Sequence, residues 1–209
     1  CLSQRAVCGV MKSWYLINSI SVAVFGFVLS AAFCGIRWTR GKRLALIGSM
    51  AAILSLQGLV LFGASPAIVG RLYPLITHIP LAAVLCILSR RLLWPVVAVQ
   101  AAYLCCQLRR WLALLAVAVA PGFADQNIAE LALTMPLLLV LLRVAAPSVQ
   151  SISHGTAAVQ WQFCIVPALY YGFDYLTRIY TSLLTEGSMV VVEFMPFVCS
   201  AAYLAFVLH

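Results

Sequence analysis

Long apolar runs alternate with short polar ones along this chain, and most apolar runs approach the length of a membrane crossing. A helix needs about 20 apolar residues to traverse the hydrocarbon core of a bilayer. Trp14 to Ile36 is the first such run, with Trp14 and Tyr15 placed as interface anchors. Leu44 to Gly63 is the second, and Gln57 and Gly58 inside it mark a helix–helix contact face. Leu72 to Leu88 is the third, interrupted by Tyr73-Pro74 and His78-Ile79-Pro80. Each proline removes a backbone donor and favours a kink. The carbonyls so freed are tolerated in a membrane where neighbours or water satisfy them again.

The stretch from Leu92 to Ala120 is ambiguous. Leu93 to Cys106 is apolar, Gln107-Leu108-Arg109-Arg110-Trp111 intervenes, and Leu112 to Ala120 is apolar again. The last run is too short to cross a core that needs about 20 residues. One crossing is therefore expected, with Arg109 and Arg110 near the outer surface and Leu112 to Ala120 lying flat or re-entering. If both halves crossed, the chain would have eight spans. Ile128 to Val144 is the fifth span, Pro147 to Thr156 a polar inner loop, Val159 to Arg178 the sixth span and Met189 to Leu208 the seventh. The expectation is an all-α, polytopic transmembrane bundle of about seven spans.

Charge orients that bundle. Arg37, Arg40, Lys42 and Arg43 form the densest positive loop, and Arg90, Arg91 and Arg143 fall on the same side of the seven-span arrangement. Positive loops stay cytoplasmic, so the N-terminus is expected outside and the C-terminus inside. The formal net charge is +8 and 65% of residues are hydrophobic, against 9% charged. A soluble domain would be about a quarter charged. The cations sit in short loops between apolar runs, not on an aromatic-laced face, so nucleic acid is not an expected partner; the bilayer is. Residues 1–13 read as a leader or an upstream remnant, because Met11-Lys12 stands just before the first run. Residues 14–209 read as one domain. The first run is too long for a signal-peptide core.

Eight cysteines are present, of which Cys34, Cys86, Cys164 and Cys199 lie inside apolar runs. A thiol there acts as a small hydrophobe. Cys105-Cys106 lacks metal-ligand spacing, and neither a metal nor another cofactor is expected. No HExxH, nucleophile elbow, P-loop or dinucleotide fingerprint occurs in the sequence, so no catalytic residue is assigned.

Candidate site residues are the polar groups least easily left facing lipid. Asp174 and Arg178 are four apart and share a helix face. Tyr170 and Tyr175 flank them, and Glu193 lies in the next apolar run. An ionisable group inside a membrane usually faces the protein interior and marks function. The competing reading is an ion pair that locks two helices, or side chains that snorkel to the headgroups. His78, between Pro74 and Pro80, is either a ligand contact or a histidine bonded to a neighbour. The expectation is that His78, Asp174, Arg178 and Glu193 line one polar pocket where spans three, six and seven meet. Pro74, Pro80 and Pro196 would open space there. Arg109, Arg110 and Trp111 are candidates for binding an anion or lipid headgroup, or for a basic–aromatic interface anchor.

Several segments together resemble a known family. Tyr73-Pro74-Leu75-Ile76-Thr77-His78-Ile79-Pro80 resembles the YPLxxHxP segment in the membrane sensor region of GHKL-type sensor histidine kinases from Gram-positive gut bacteria. Ala102 to Gln107 with Arg110-Trp111, Tyr170-Tyr171 with Asp174-Tyr175, Tyr180-Thr181, and Val192 to Phe197 resemble it too. The resemblance implies a multi-pass sensor in a bacterial plasma membrane. It would detect a small ligand or peptide and relay the signal through its last helix. The implied partners are a cytoplasmic kinase domain and a response regulator, with a homodimer left open. No phosphoacceptor-histidine helix or ATP-binding box occurs in the chain, so ATP binding is carried over to no residue. Two other classes remain open: a small transporter or channel, and a structural membrane subunit.

Overall fold

The computed structural model describes residues 2–36, 38–63, 72–119 and 125–174, with residues 199, 200, 203 and 204. Every element among them is helical. Helix α1 is Leu2–Phe33, α2 is Arg40–Gly63, α3 is Pro74–Ser89, α4 is Leu93–Val119, α5 is Gln126–Ser153 and α6 is Ala157–Asp174. Four of them are long and apolar enough to cross a membrane: α1 over Leu16–Phe33, α2 over Arg40–Val60, α4 and α5. The chain is thus a membrane protein, all-helical among the described residues.

Helix α4 is the axis of the bundle, packed against α1, α3, α5 and α6. Its sequence explains the position. Trp94, Val97, Ala98, Ala101, Ala102, Leu104, Cys105, Leu108 and Ala113 are all buried, and they occupy about half of the helix circumference. An apolar stripe that broad is suited to packing against several neighbours. The alanines let neighbouring backbones come close, which is how membrane helices associate without a hydrophobic drive between them. Side chains from α4 and α5 also satisfy the carbonyls at the end of α1. Trp94 Nε1 donates to Phe33 O at 3.0 Å, and Gln150 Nε2 to Ala32 O at 2.7 Å. Helix α2 lies outermost, with Leu44, Ile47, Leu56 and Leu59 exposed.

The prolines of α3 and α5 produce a shared local device. Each helix contains one π turn, Pro74–His78 and Leu141–Ala145. In each, the residue after the turn bonds back five positions: Ile79 N–H to Pro74 O, and Ala146 N–H to Leu141 O. Pro80 and Pro147 follow immediately. A proline ring clashes with the carbonyl four residues earlier, and the wider turn makes room for it. Helix α3 therefore runs on through its prolines as one span, and α5 runs on where a loop was expected. The polar loop anticipated from Pro147 is instead helical through Ser153, because Pro147 sits in the first turn of the renewed α-helix, where it has no bond to lose.

The second departure is in α4. It runs unbroken through Arg109-Arg110-Trp111 to Val119, so Leu112 onward is neither flat nor re-entrant. The eight-span alternative needed a break there as well. The reason for the continuity is that Arg109 finds its partners inside the bundle.

Candidate functional site

An ion pair lies at the heart of the bundle. Arg109 on α4 is 2% exposed, and its Nη2 is 2.8 Å from Oε2 of Glu130 on α5. Arg109 Nη1 donates to Ser21 Oγ on α1 and to Thr134 Oγ1 on α5, both at 2.9 Å. Glu130 is equally well held. Asn18 Nδ2 donates to its Oε2 at 2.9 Å, and Gln126 Nε2 to its Oε1 at 2.9 Å. Thr134 in turn donates to Glu130 O at 2.8 Å. Buried charges persist when each is paired and its other sites are hydrogen-bonded, and here three helices supply the partners. The start of α5 is fixed independently by Asp125, whose carboxylate accepts from Asn127 N–H as an N-cap.

A second polar cluster joins α3, α4 and α6. His78 Nδ1 is 2.8 Å from Tyr171 Oη. Tyr103 Oη donates to Asp174 Oδ2. The rings of Tyr73, Tyr103 and Tyr171 all meet the His78 imidazole edge-on, with centroids 5.1 to 5.4 Å apart, an arrangement favoured by the ring quadrupoles. The π turn of α3 carries His78 and Thr77 together. Thr77 Oγ1 accepts from Gln57 Nε2 on α2, so the polar residue of the second apolar run does mark a helix contact.

The two clusters open onto one cavity of about 280 Å³. Tyr73, His78 and Tyr103 line it from one side and Arg109, Arg110 and Glu130 from another, with Phe27, Leu81 and Val99 as apolar wall. It is walled by α1, α3, α4 and α5, and it is chemically amphipathic.

The expected site residues are distributed as follows. His78 and Asp174 are brought together, through Tyr171 and Tyr103. Tyr170 is buried beside Tyr103, with ring centroids 6.3 Å apart. Tyr175, Arg178 and Glu193 lie outside the described residues, as do Pro196 and most of the expected seventh span. Arg109, a candidate for binding an anion or headgroup, is buried, with its guanidinium held by α1 and α5. Arg110 and Trp111 are half-buried. Glu130 was missed, although a signal was present. Gln126, Glu130 and Thr134 follow at intervals of four and so share one helix face. An acid inside an apolar run needs a cation, and Arg109 stands inside the neighbouring run.

Cys34, Cys86, Cys105, Cys106, Cys164 and Cys199 are free thiols. Comparison with protein-family models, curated proteins and solved structures yields no match.

Proposed function

We propose that this chain is the ligand-receiving membrane domain of a two-component sensor, with seven spans, the N-terminus outside and the C-terminus inside. The observation that carries the reading is the amphipathic cavity shared by the Arg109–Glu130 pair and the His78–Tyr103–Asp174 cluster. The four helices that wall it are the ones a bound molecule would draw together or spread. A ligand that favours one packing shifts the population by its differential affinity. Helix α4 contacts every wall, and Ser200 Oγ donates to Leu104 O at 3.1 Å, which ties the last apolar run to that same axis.

Transport is the second reading, favoured by one specific observation. A charged pair buried between α4 and α5 is the kind of feature that marks a transit path. Two assays separate the classes. Membranes carrying the chain together with the cytoplasmic kinase domain of the proposed system are assayed for phosphotransfer from ATP to a response regulator, wild type against Val99→Phe, which fills the cavity. Proteoliposomes of the same protein are assayed for solute uptake. Phosphotransfer that responds to medium in the wild type and is fixed in Val99→Phe supports the sensor. Uptake without phosphotransfer refutes it.

A further inference from the structure

The cations at one end of the bundle meet no acid among the described residues. Trp94 Nε1 to Phe33 O at 3.0 Å, Gln150 Nε2 to Ala32 O at 2.7 Å and Arg91 Nη1 to Ser153 O at 3.2 Å bring the end of α1, the start of α4 and the end of α5 to one level. Helix α2 starts at Arg40, soon after α1 ends, and α3 ends just before Arg90. Arg40, Lys42, Arg43 and Arg90 therefore share this end with Arg91. All are exposed except Lys42, which is half-buried. The side chains of Arg40, Lys42, Arg43 and Arg90 make no hydrogen bond or ion pair to a described residue. The described acids are Asp125, Glu130 and Asp174, and they lie toward the opposite end. Asp125 and Glu130 belong to the start of α5, and Asp174 closes α6, whose own start is tied to Ser153 by Gln160 Nε2 at 2.9 Å. Arg40, Lys42 and Arg43 also stand in the first turn of α2, at the positive end of its dipole, where like charge is unfavourable.

Beneath these cations lies apolar surface. Leu44 and Ile47 follow Arg40 and Arg43 one turn on, so each arginine shares a face of α2 with an exposed apolar side chain. Helix α3 ends in the same order, with Ile87 exposed one turn before Arg90. Trp38 is half exposed and adds a ring of the kind that settles between headgroup and hydrocarbon. Helices α2 and α3 pack against each other. We infer that this end of the α2–α3 pair holds an anionic phospholipid, its phosphodiester among Arg40, Arg43 and Arg90 and its acyl chains along Leu44, Ile47 and Ile87. Charge complementarity selects the headgroup, since the described residues leave these cations unneutralised. The exposed apolar turn beneath them favours a lipid over an acidic protein segment or a free phosphate. Each cation near the surface raises affinity for anionic lipid about fivefold. None of these residues lines the ligand cavity, so the lipid site stands whether or not the chain is a sensor.

The test mixes the full chain in mild detergent with equimolar dioleoylphosphatidylglycerol and dioleoylphosphatidylcholine, and native mass spectrometry counts the lipids that stay bound. The anionic lipid is expected to be held at least about tenfold more strongly. Arg40→Gln, Arg43→Gln and Arg90→Gln, combined in one protein, should bring the two lipids within about twofold of each other. Arg143→Gln removes an exposed cation of α5 and should leave the preference unchanged. Neither the deacylated headgroup, glycerophosphoglycerol, nor a heptaglutamate peptide should displace the lipid at equal concentration. Equal retention of both lipids by the wild type overturns the proposal. So does a preference that survives the triple change or falls as far in Arg143→Gln. Displacement by the headgroup would make this an anion site, and displacement by the peptide a protein-docking face; either result overturns the lipid assignment. If the triple variant does not fold, the lipid pair and the two competitors still decide.

Discussion

Glu130→Gln is the sharpest perturbation of the bundle. Glutamine keeps the size of the side chain but removes the charge that neutralises Arg109. The carboxylate accepts from Asn18, Arg109 and Gln126, whereas the amide has one oxygen and turns a donor toward groups that are themselves donors. Arg109 cannot shed its proton, so a guanidinium stays buried without its counter-charge. Breaking a buried pair by removing one partner costs about 3–5 kcal/mol. For a chain of this size that is a fall in Tm of roughly 6–20 °C. The double variant Arg109→Met with Glu130→Met removes both charges and fills the space with apolar atoms. It should recover most of the loss, because such replacements are often neutral or stabilising. Thermal unfolding in mild detergent, followed by size-exclusion fluorescence, measures all three proteins. A shift below about 2 °C for Glu130→Gln, or a double variant worse than the single, would refute the pairing as the source of stability.

Other consequences are checked more simply. Tyr103→Phe removes the donor to Asp174 and should cost about 1.5–3 kcal/mol, read as a lower detergent midpoint; an unchanged midpoint would mean the bond contributes nothing. Gly26 faces Cys106 Sγ, 3.4 Å from where a Cβ would sit. Gly26→Ala should be tolerated, while Gly26→Leu should cost about 1–3 kcal/mol by forcing α1 from α4; equal stability of the two would argue against that close approach. Single cysteines at Asp125 and Ser151, at opposite ends of α5, should label from opposite sides of the membrane, outside and inside respectively, and labelling from one side would break the proposed topology. Alkylation and mass spectrometry without reduction should find Cys34, Cys86, Cys164 and Cys199 as thiols; a stable disulfide at any of them would contradict their placement.

Much of the bundle was legible because membrane spans announce themselves by length and apolarity, as Trp14 to Ile36 and Leu44 to Gly63 do. Local rules misread α4 and α5, since they priced Arg109 and Pro147 as interruptions. Both are accommodated by something the rule does not contain. For Arg109 it is an acid on another helix, and for Pro147 a π turn upstream. His78 and Asp174 stand out in the sequence because each is isolated in an apolar setting. Glu130 hid among the polar residues Asp125, Gln126 and Asn127 at the start of α5, where an acid looks like a helix-end residue. Its role is visible once α1 and α4 are placed against it.

The bundle is held to close around Arg109, with α1 and α5 meeting at Ser21 and Thr134. Their hydroxyl oxygens are 3.3 Å apart. Disulfide cross-linking in native membranes addresses that contact directly. Ser21→Cys with Thr134→Cys should form an intramolecular bond under mild oxidant, since the side chains already sit within reach. Ile17→Cys, at an exposed position of α1, should not cross-link to Thr134→Cys. Efficient bonding of the first pair alone is the predicted result, and no bond between 21 and 134, or equal bonding from 17, would contradict the arrangement.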